Sequence, residues 1–523
     1  MPKNIIACSD GTGNTAIKGR GTNVFKLFEA LDLRSYRVDA NQIPQIAFYD
    51  DGVGTQEFKP LKIFAGATGF GLSRNVRQLY TQIVRVYDPG DHIYLFGFSR
   101  GAFTVRTLAG FISRCGLLDA RKFKTEAELK KGVKQAYRAY RCCYRIRLAE
   151  MLLGPPKTDK PAEIKKKLGF ESEVRVKFIG VWDTVDAVGL PFHLADIINT
   201  TIYRFKFPDN SLSPIVDRAF HALALNDERQ SFSPVLWNES NDPRVEQVWF
   251  AGAHSNVGGG YPKQGMSLVA LDWMMAAAEQ HGLRFNGTDR KFYAEHANVD
   301  DKLYDPRSGM GIFYRWKIRD VDHISQSNGI ARPKIHMSVL ERIAHATEGY
   351  APGNIPRPAG VVTTPRESSS LLRVRCEYVG EALAAAQQAR TPLLQQVRGA
   401  IRAGLLSYYL YLACCTAVLI AAGVGSVHES DSAKTIFQSI TGFVFGLITS
   451  PVETVITIAK QLWRSPALLT VLAAGFLTSY FLTLSAGARM SAVFSEFWHH
   501  FQPKLRDALK QARAKSKGHA AGA

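Results

Sequence analysis

The sequence predicts an α/β protein built on a doubly wound, mainly parallel sheet. Three observations carry that expectation: short, fully apolar runs alternate with amphipathic ones, the apolar runs end in polar or glycine-rich turns, and they lack the in/out alternation of a half-exposed strand. "NIIACSD", from Asn4 to Asp10, reads as a buried strand that exits into "DGTGNT". "TNVFKLFEALD" has helical spacing, with Thr22 or Asn23 as its cap. "PQIAFYDDGVGT" gives a second strand, "LSRNVRQLYTQIVRVY" an amphipathic helix and "HIYLFGFS" a third strand. "RGAFTVRTLAGFISRCG" returns to helix. "VRVKFIGVWDTVDAVG" and "VEQVWFAGAHSNVGGGY" add strands, and "SLVALDWMMAAAEQHG" is helical. "RAFHALAL" also reads as a helix, with His221 in its middle.

Length and charge narrow the class. A chain of 523 residues, 46% hydrophobic and 21% charged, can bury a large core and holds more than one structural unit. Its net charge of +19 points to an anionic partner. No basic recognition helix, zinc motif or basic–aromatic stripe accompanies that charge, so a membrane surface is favoured over nucleic acid. Seven cysteines with no C-x-x-C and no ligand-like spacing to histidine predict a reducing compartment and neither disulfide scaffold nor metal site. The opening residues enter a strand at once, so no cleaved secretory signal is expected.

The domain reading is a catalytic domain over 1–360, a linker over 361–400, a transmembrane region over 401–490 and a basic tail over 491–523. Within the first lies a basic helical insertion at about 121–170, where Lys and Arg stand beside Tyr137, Tyr140 and Tyr144 in a mixture suited to lipid headgroups. Gly404 to Gly425 and Ala467 to Ala488 are free of charged residues over the length needed to cross a bilayer. The apolar stretch between them is broken by Pro451 and Glu453, which leaves two or three spans open. Basic residues flank the pair on the outer sides, so a multi-pass protein with its catalytic domain in the cytoplasm is expected.

The chemistry centres on "GFSRG", Gly97 to Gly101, in which a serine sits between glycines where a strand gives way to a helix. A serine hydroxyl is a weak nucleophile and needs a base, itself oriented by a carboxylate. Three polar residues close apolar runs in the order Ser, Asp, His: Ser99 after "YLFGF", Asp183 after "VKFIGVW" and His254 after "VWFAGA". Asp186 is an alternative acid, and His221 and His336 are alternative bases. The oxyanion site draws on the backbone N–H of Arg100, next to the nucleophile, and on that of Gly11 in the turn Asp10-Gly11-Thr12-Gly13. No metal or cofactor is called for.

The ordered motifs "IIACSDGTGNT", "YDDGVGT", "FGFSRGAFTVRTLAGFI", "FIGVWDTVDAVG", "HALALNDERQSF", "VWFAGAHSNVGGGY" and "HMSVLERI…YAPGNIP" resemble the catalytic domain of the type VI secretion phospholipase effectors, an α/β-hydrolase group. The resemblance covers roughly residues 4–360. It implies a serine esterase acting on phospholipid acyl esters, with Ser99, Asp183 and His254 at the family's motif positions. It also implies an immunity or chaperone protein as partner if the chain is a delivered effector. Members of this group often carry aspartate where this chain has Asn256. Two further functions stand beside this one: a lysophospholipase, thioesterase or other small-ester hydrolase of the cell's own metabolism, and a membrane-bound binding protein no longer catalytic.

Overall fold

The structure, a computed structural model, describes residues 2–11, 21–51, 70–143, 159–170, 173–185, 210–239, 242–306, 308, 315–365, 369–388, 392–428, 456, 460, 463 and 465–521. Its strands are β1 (Asn4–Ser9), β2 (Gln45–Asp50), β3 (His92–Phe98), β4 (Val176–Trp182), β5 (Ala219–Ala224), β6 (Val245–Phe250), β7 (Lys334–His336) and β8 (Gly360–Val362). They form one sheet in the order β2-β1-β3-β4-β5-β6-β7-β8, and every neighbouring pair is parallel. The chain steps from β1 to β2 on one side, then returns past β1 to β3 and proceeds in the other direction. That reversal opens a crevice outside the carboxyl ends of β1 and β3, where doubly wound sheets bind ligands.

The helices are α1 (Asn23–Glu29), α2 (Phe70–Val86), α3 (Arg100–Cys115), α4 (Glu126–Cys142), α5 (Asp159–Leu168), α6 (His254–Gly258), α7 (Gly265–Gln280), α8 (Gly287–His296), α9 (Val321–Gln326), α10 (Met337–His345), α11 (Ser369–Gln388), α12 (Leu393–Gln396), α13 (Arg398–His428) and α14 (Pro466–Ala521). Successive side chains of a strand point to opposite faces, which sorts the core into two layers. Ile5, Ala7, Ile93, Leu95, Ile179 and Val181 pack under α2, α3 and α4. Ile6, Cys8, Tyr94, Phe96, Phe98, Phe178 and Trp182 pack under α1 and α7.

Four details differ from the sequence reading. "AFHALA" is the fully enclosed strand β5, not a helix, because its short apolar run fills the gap between β4 and β6. The tyrosines of the insertion face the core rather than a headgroup layer: Leu129, Val133, Ala136, Tyr137 and Tyr140 of α4 are buried in the first core layer, Tyr137 lies edge-on to Phe111, and Lys130, Lys131 and Lys134 face solvent. Tyr144 lies outside the described residues. The segment read as a linker contains α11, which packs on β8 through Val379 and Leu383.

The fourth difference concerns the tail. The chain divides into two compact units, one of Met1–Tyr314, Ile318–Arg390 and Trp498–Ala523, the other of Arg315–Lys317 and Thr391–Phe497. Residues from Trp498 onward therefore belong to the unit that holds the sheet. The Trp498 indole donates to the Pro352 carbonyl at 2.7 Å, Arg506 Nε donates to that of Ala344 at 2.5 Å, and Phe501, Leu505 and Leu509 are buried.

In the second unit α13 and α14 meet along small and polar side chains. Ser407 Oγ lies 3.1 Å from Ser479 Oγ and 2.6 Å from Thr483 Oγ1, and a Cβ on Gly475 would press into Cys414 Sγ at 2.5 Å. Leu406, Val471, Leu477, Phe481 and Leu484 point outward, each more than half exposed. Both helices are long and apolar enough to cross a membrane.

At the crevice, close approach decides residue choice. A Cβ on Gly101 would collide with the carbonyl oxygens of Ser9 and Asp10, and neither is the free end of a flexible side chain. Gly101→Val is expected to destabilise the fold by about 2–4 kcal/mol. Gly287→Ala, where a Cβ meets nothing within 4 Å, should leave thermal unfolding unchanged. Calorimetry on the two variants checks the contrast.

Candidate active site

Ser99 heads α3 directly after β3, with φ 58° and ψ −121°, a left-handed conformation rare for a residue with a side chain. Its N–H donates to the Trp182 carbonyl at 3.0 Å, tying the turn to the end of β4. A Cβ on Gly97 would lie 2.6 Å from the Gly101 carbonyl oxygen, so both flanking glycines are required for this turn to close.

Asp183 follows β4, also at positive φ, and is fully buried. Its Oδ2 lies 2.6 Å from His254 Nδ1, and its Oδ1 accepts the Ala224 N–H at 2.9 Å. Burial pushes this carboxyl up, but the Arg319 charge and the hydrogen bonds from His254 and Arg319 outweigh it and hold Asp183 well below the usual carboxylate range. An ionised Asp183 places the proton of His254 on Nδ1 and leaves Nε2 as the acceptor. Nε2 is buried and has no hydrogen-bond partner among the described residues.

His254 begins α6, in the loop after β6. Its ring lies between Phe98 and Phe232, at centroid distances of 4.6 and 4.9 Å. Phe98 immediately precedes Ser99, so the histidine packs against the strand end that carries the serine. The His254 N–H donates to Asp227 Oδ2 at 3.1 Å, and Asp227 is held in turn by the Arg229 fork. Burial lowers the His254 pKa, Asp183 opposes that, and the net direction is downward from 6.5.

The alternative residues are otherwise engaged. His221 Nε2 accepts the Thr184 N–H at 3.1 Å and its Nδ1 faces Gln247, so it braces the backbone beside Asp183. Burial and the Arg106 charge push it down to about 3, which keeps it neutral. His336 caps α10: Nδ1 accepts the Ser338 N–H, Nε2 faces Thr364, and the ring stacks on Phe250. Asp186 and Gly13 lie outside the described residues.

On the oxyanion side, Asp10 accepts from Thr22 Oγ1, Tyr49 Oη and the Gly11 N–H, each at 2.6 Å. The Gly11 amide is thus directed at Asp10 in this state. Arg100 is the first residue of α3, where the helix dipole favours negative charge. Among the described residues Asn256 forms no hydrogen bond to the imidazole. Its Nδ2 donates to the Lys302 carbonyl and its Oδ1 accepts the Ala253 N–H, so it shapes the loop that carries His254.

Two members of the cluster escaped the sequence reading. Asp227 lies inside the quoted motif "NDERQSF" but had no role there. Arg319, in "KIRD", bears no mark at all. Among the described residues no group of three or more His, Cys, Asp and Glu could hold a metal ion. The arrangement offers a serine on a strained elbow and an imidazole oriented by a buried carboxylate, the parts needed for nucleophilic attack with proton transfer.

Comparison with known proteins finds one family and several relatives. The family model described as "T6SS, Phospholipase effector Tle1-like, catalytic domain" matches residues 3–277. An uncharacterized protein of Saccharomyces cerevisiae, YEL023C, is 30% identical over 249 residues, which is 45% of this chain and 33% of that protein. The chain thus matches about a third of the length of that relative. Two solved structures align at low similarity. The Tle1 effector bound to the VgrG spike of the type 6 secretion system has TM-score 0.34 and 16% identity, over 64% of this chain and 81% of that one. An uncharacterized protein from Pseudomonas aeruginosa has TM-score 0.32 and 17% identity, over 75% of this chain and 60% of that one.

The direction of the His254 shift has a kinetic consequence. Only neutral imidazole accepts a proton, so ester hydrolysis should rise as pH increases through the His254 pKa. The acid-limb midpoint of kcat/KM is expected below 6.5, with a plateau by neutral pH. A midpoint above 6.5 on a soluble short-chain ester contradicts this electrostatic picture.

Proposed function

Because the chain belongs to the Tle1-like phospholipase effector family through its catalytic domain, we propose that it is a serine hydrolase cleaving phospholipid acyl esters, a phospholipase of the A type on an α/β-hydrolase scaffold. The observation that carries this reading is the His254 ring, packed on the strand end that bears Ser99, bonded through Nδ1 to a buried carboxylate, with a buried Nε2 that has no hydrogen-bond partner among the described residues.

In this mechanism Ser99 Oγ attacks the acyl carbonyl while His254 Nε2 takes its proton. Asp183 holds the imidazole in the right tautomer and stabilises the imidazolium. The Arg100 N–H, with the Gly11 N–H exchanging Asp10 for the substrate, stabilises the tetrahedral oxyanion. His254 then protonates the leaving alcohol, and water clears the acyl-enzyme through the same base. The intact pairing of Asp183 with His254 argues against a fold retained only for binding.

Ser99→Ala should abolish release of fatty acid from glycerophospholipid vesicles while leaving the melting curve unchanged, since the side chain loses one oxygen at a turn. His254→Ala should lose a similar factor, because the members of such a unit act together. Near-wild-type turnover by either variant rules out this triad.

The same proposal places the enzyme at a membrane, with α13 and α14 as a hairpin inside it. The supporting pattern is inverted relative to a soluble protein: serine, threonine and glycine line the seam while leucine and phenylalanine face outward. Helices pack that way in lipid, where apolar contact with solvent costs nothing and interhelical hydrogen bonds hold the pair. Residues up to Arg390 and from Trp498 onward fall in one compact unit, which supports an even number of crossings for the chain between them. The basic stretches outside the hairpin favour the cytoplasmic side for that unit. A chain exported as a toxin would also need an immunity or chaperone partner to protect the producing cell. Epitope tags at the two ends should be equally protected in intact cells, and a tag after Ser430 accessible. Tags on opposite sides defeat the hairpin.

A further inference from the structure

Arg319 lies beyond the span of the family match and donates four hydrogen bonds in the site. It is 4% exposed. Nη1 donates to Asp183 Oδ1 at 2.8 Å and Nη2 to Oδ2 at 3.0 Å, a side-on fork over the whole carboxylate. The same two nitrogens donate to the backbone carbonyls of Ala224 and, at 2.5 Å, Phe232. Ala224 is the residue whose N–H bonds Asp183 Oδ1, and the Phe232 ring stands edge-on to His254.

We propose that Arg319 is a positioning residue for the reaction: it locks the plane of the Asp183 carboxylate and the wall beside His254, so that Oδ2 meets Nδ1 as an ionised group. This rests on the serine-hydrolase reading above. Between Arg319, the Ala224 amide and His254, both carboxylate oxygens are doubly engaged and the group cannot turn about χ2. Without the guanidinium, a buried carboxylate would face one imidazole and one amide, and charge in such a place is held only by partners. A lysine could supply the charge but not the fork, because an ammonium is a point donor.

The charged and titratable groups around the pair set the sign of the pH effect. Arg319 enters from the segment before α9, neutral His221 from β5, Asp227 and Arg229 from the loop after β5, and Arg106 from α3. Of these, Arg319 is the cation bonded to Asp183. Removing it makes both Asp183 and His254 easier to protonate, and either event silences the base. The acid limb must therefore move to higher pH.

The experiment compares Arg319→Gln and Arg319→Lys with wild type on a soluble short-chain ester, normalised to sites labelled by a fluorophosphonate. Arg319→Gln should lower kcat/KM on the order of 100-fold with little change in KM, and raise the acid-limb midpoint by about one pH unit. Arg319→Lys should keep the wild-type midpoint and lose about 10-fold, since the charge stays and the fork goes. Wild-type kcat/KM per labelled site in Arg319→Lys overturns the proposal, even where Arg319→Gln yields no folded protein. An unmoved midpoint in folded Arg319→Gln also overturns it and reduces Arg319 to a structural tie. Failure of the underlying reading looks different: wild type itself would then take no label at Ser99.

Discussion

A full negative charge at the fully buried Asp183 is the constraint on which the rest of this site depends. Burying a carboxylate costs several kcal/mol unless its lone pairs are filled, and breaking such a pair costs about 3–5 kcal/mol. Each element around the carboxylate answers that demand. The end of β4 carries it, β5 supplies the Ala224 amide, the segment before α9 sends Arg319, and α6 presents His254. His221 fixes the next peptide through Thr184 and stays uncharged, so it adds no cation to compete with Arg319. The parallel sheet is the frame that lets residues 41 to 136 positions apart converge on one group.

The backbone is strained at two of the residues to which the proposed function assigns the chemistry. Ser99 and Asp183 both hold positive φ, and neither is glycine. Such conformations cost of order 1–3 kcal/mol each and persist only when surroundings over-determine them. At Ser99 the surroundings are the Trp182 carbonyl on one side and the packing of Gly97 on Gly101 on the other. At Asp183 they are the Ala222 carbonyl, which accepts its N–H at 2.7 Å, and the Arg319 fork. The crevice at the β1–β3 reversal places the first of these strained turns next to Asp10 and Gly11. A loop able to present amides to an oxyanion thus lies against the elbow.

Much of this was legible in the sequence, and the parts that were not share a physical reason. Apolar runs that end in a polar residue locate strand ends, so Ser99, Asp183 and His254 could be named together with their order. The alternation of runs identified a parallel, two-layered sheet. β5 was hidden because five apolar residues, three of them alanine, around one histidine suit helix and buried strand equally, and only its neighbours decide. Tyr137 and Tyr140 looked like headgroup ligands because periodicity marks an amphipathic face without saying which partner covers it. Arg319 was invisible because its role comes from a long-range contact, and nothing in "KIRD" distinguishes a buried guanidinium from a solvated one.

The two units obey opposite solvation rules within one chain. In the sheet-bearing unit, apolar side chains fill the interior and a buried amide such as Asn23 turns its donor to backbone, Nδ2 donating to the Val257 and Ser267 carbonyls at 2.8 Å. In the other, Ser407 and Ser479 are inside and Phe481 and Leu477 are outside. Water makes the second arrangement costly at about 25 cal/mol per Å² of exposed apolar surface, whereas hydrocarbon removes that cost and makes each unbonded hydroxyl the expensive item. The bonds from Ser407 to Ser479 and Thr483 deal with that second expense. Under the proposed function, a chain that satisfies both rules has one part shaped for water and another for lipid, and its hydrolase unit would be held at the surface where long-chain esters concentrate while the helices take no share in the chemistry.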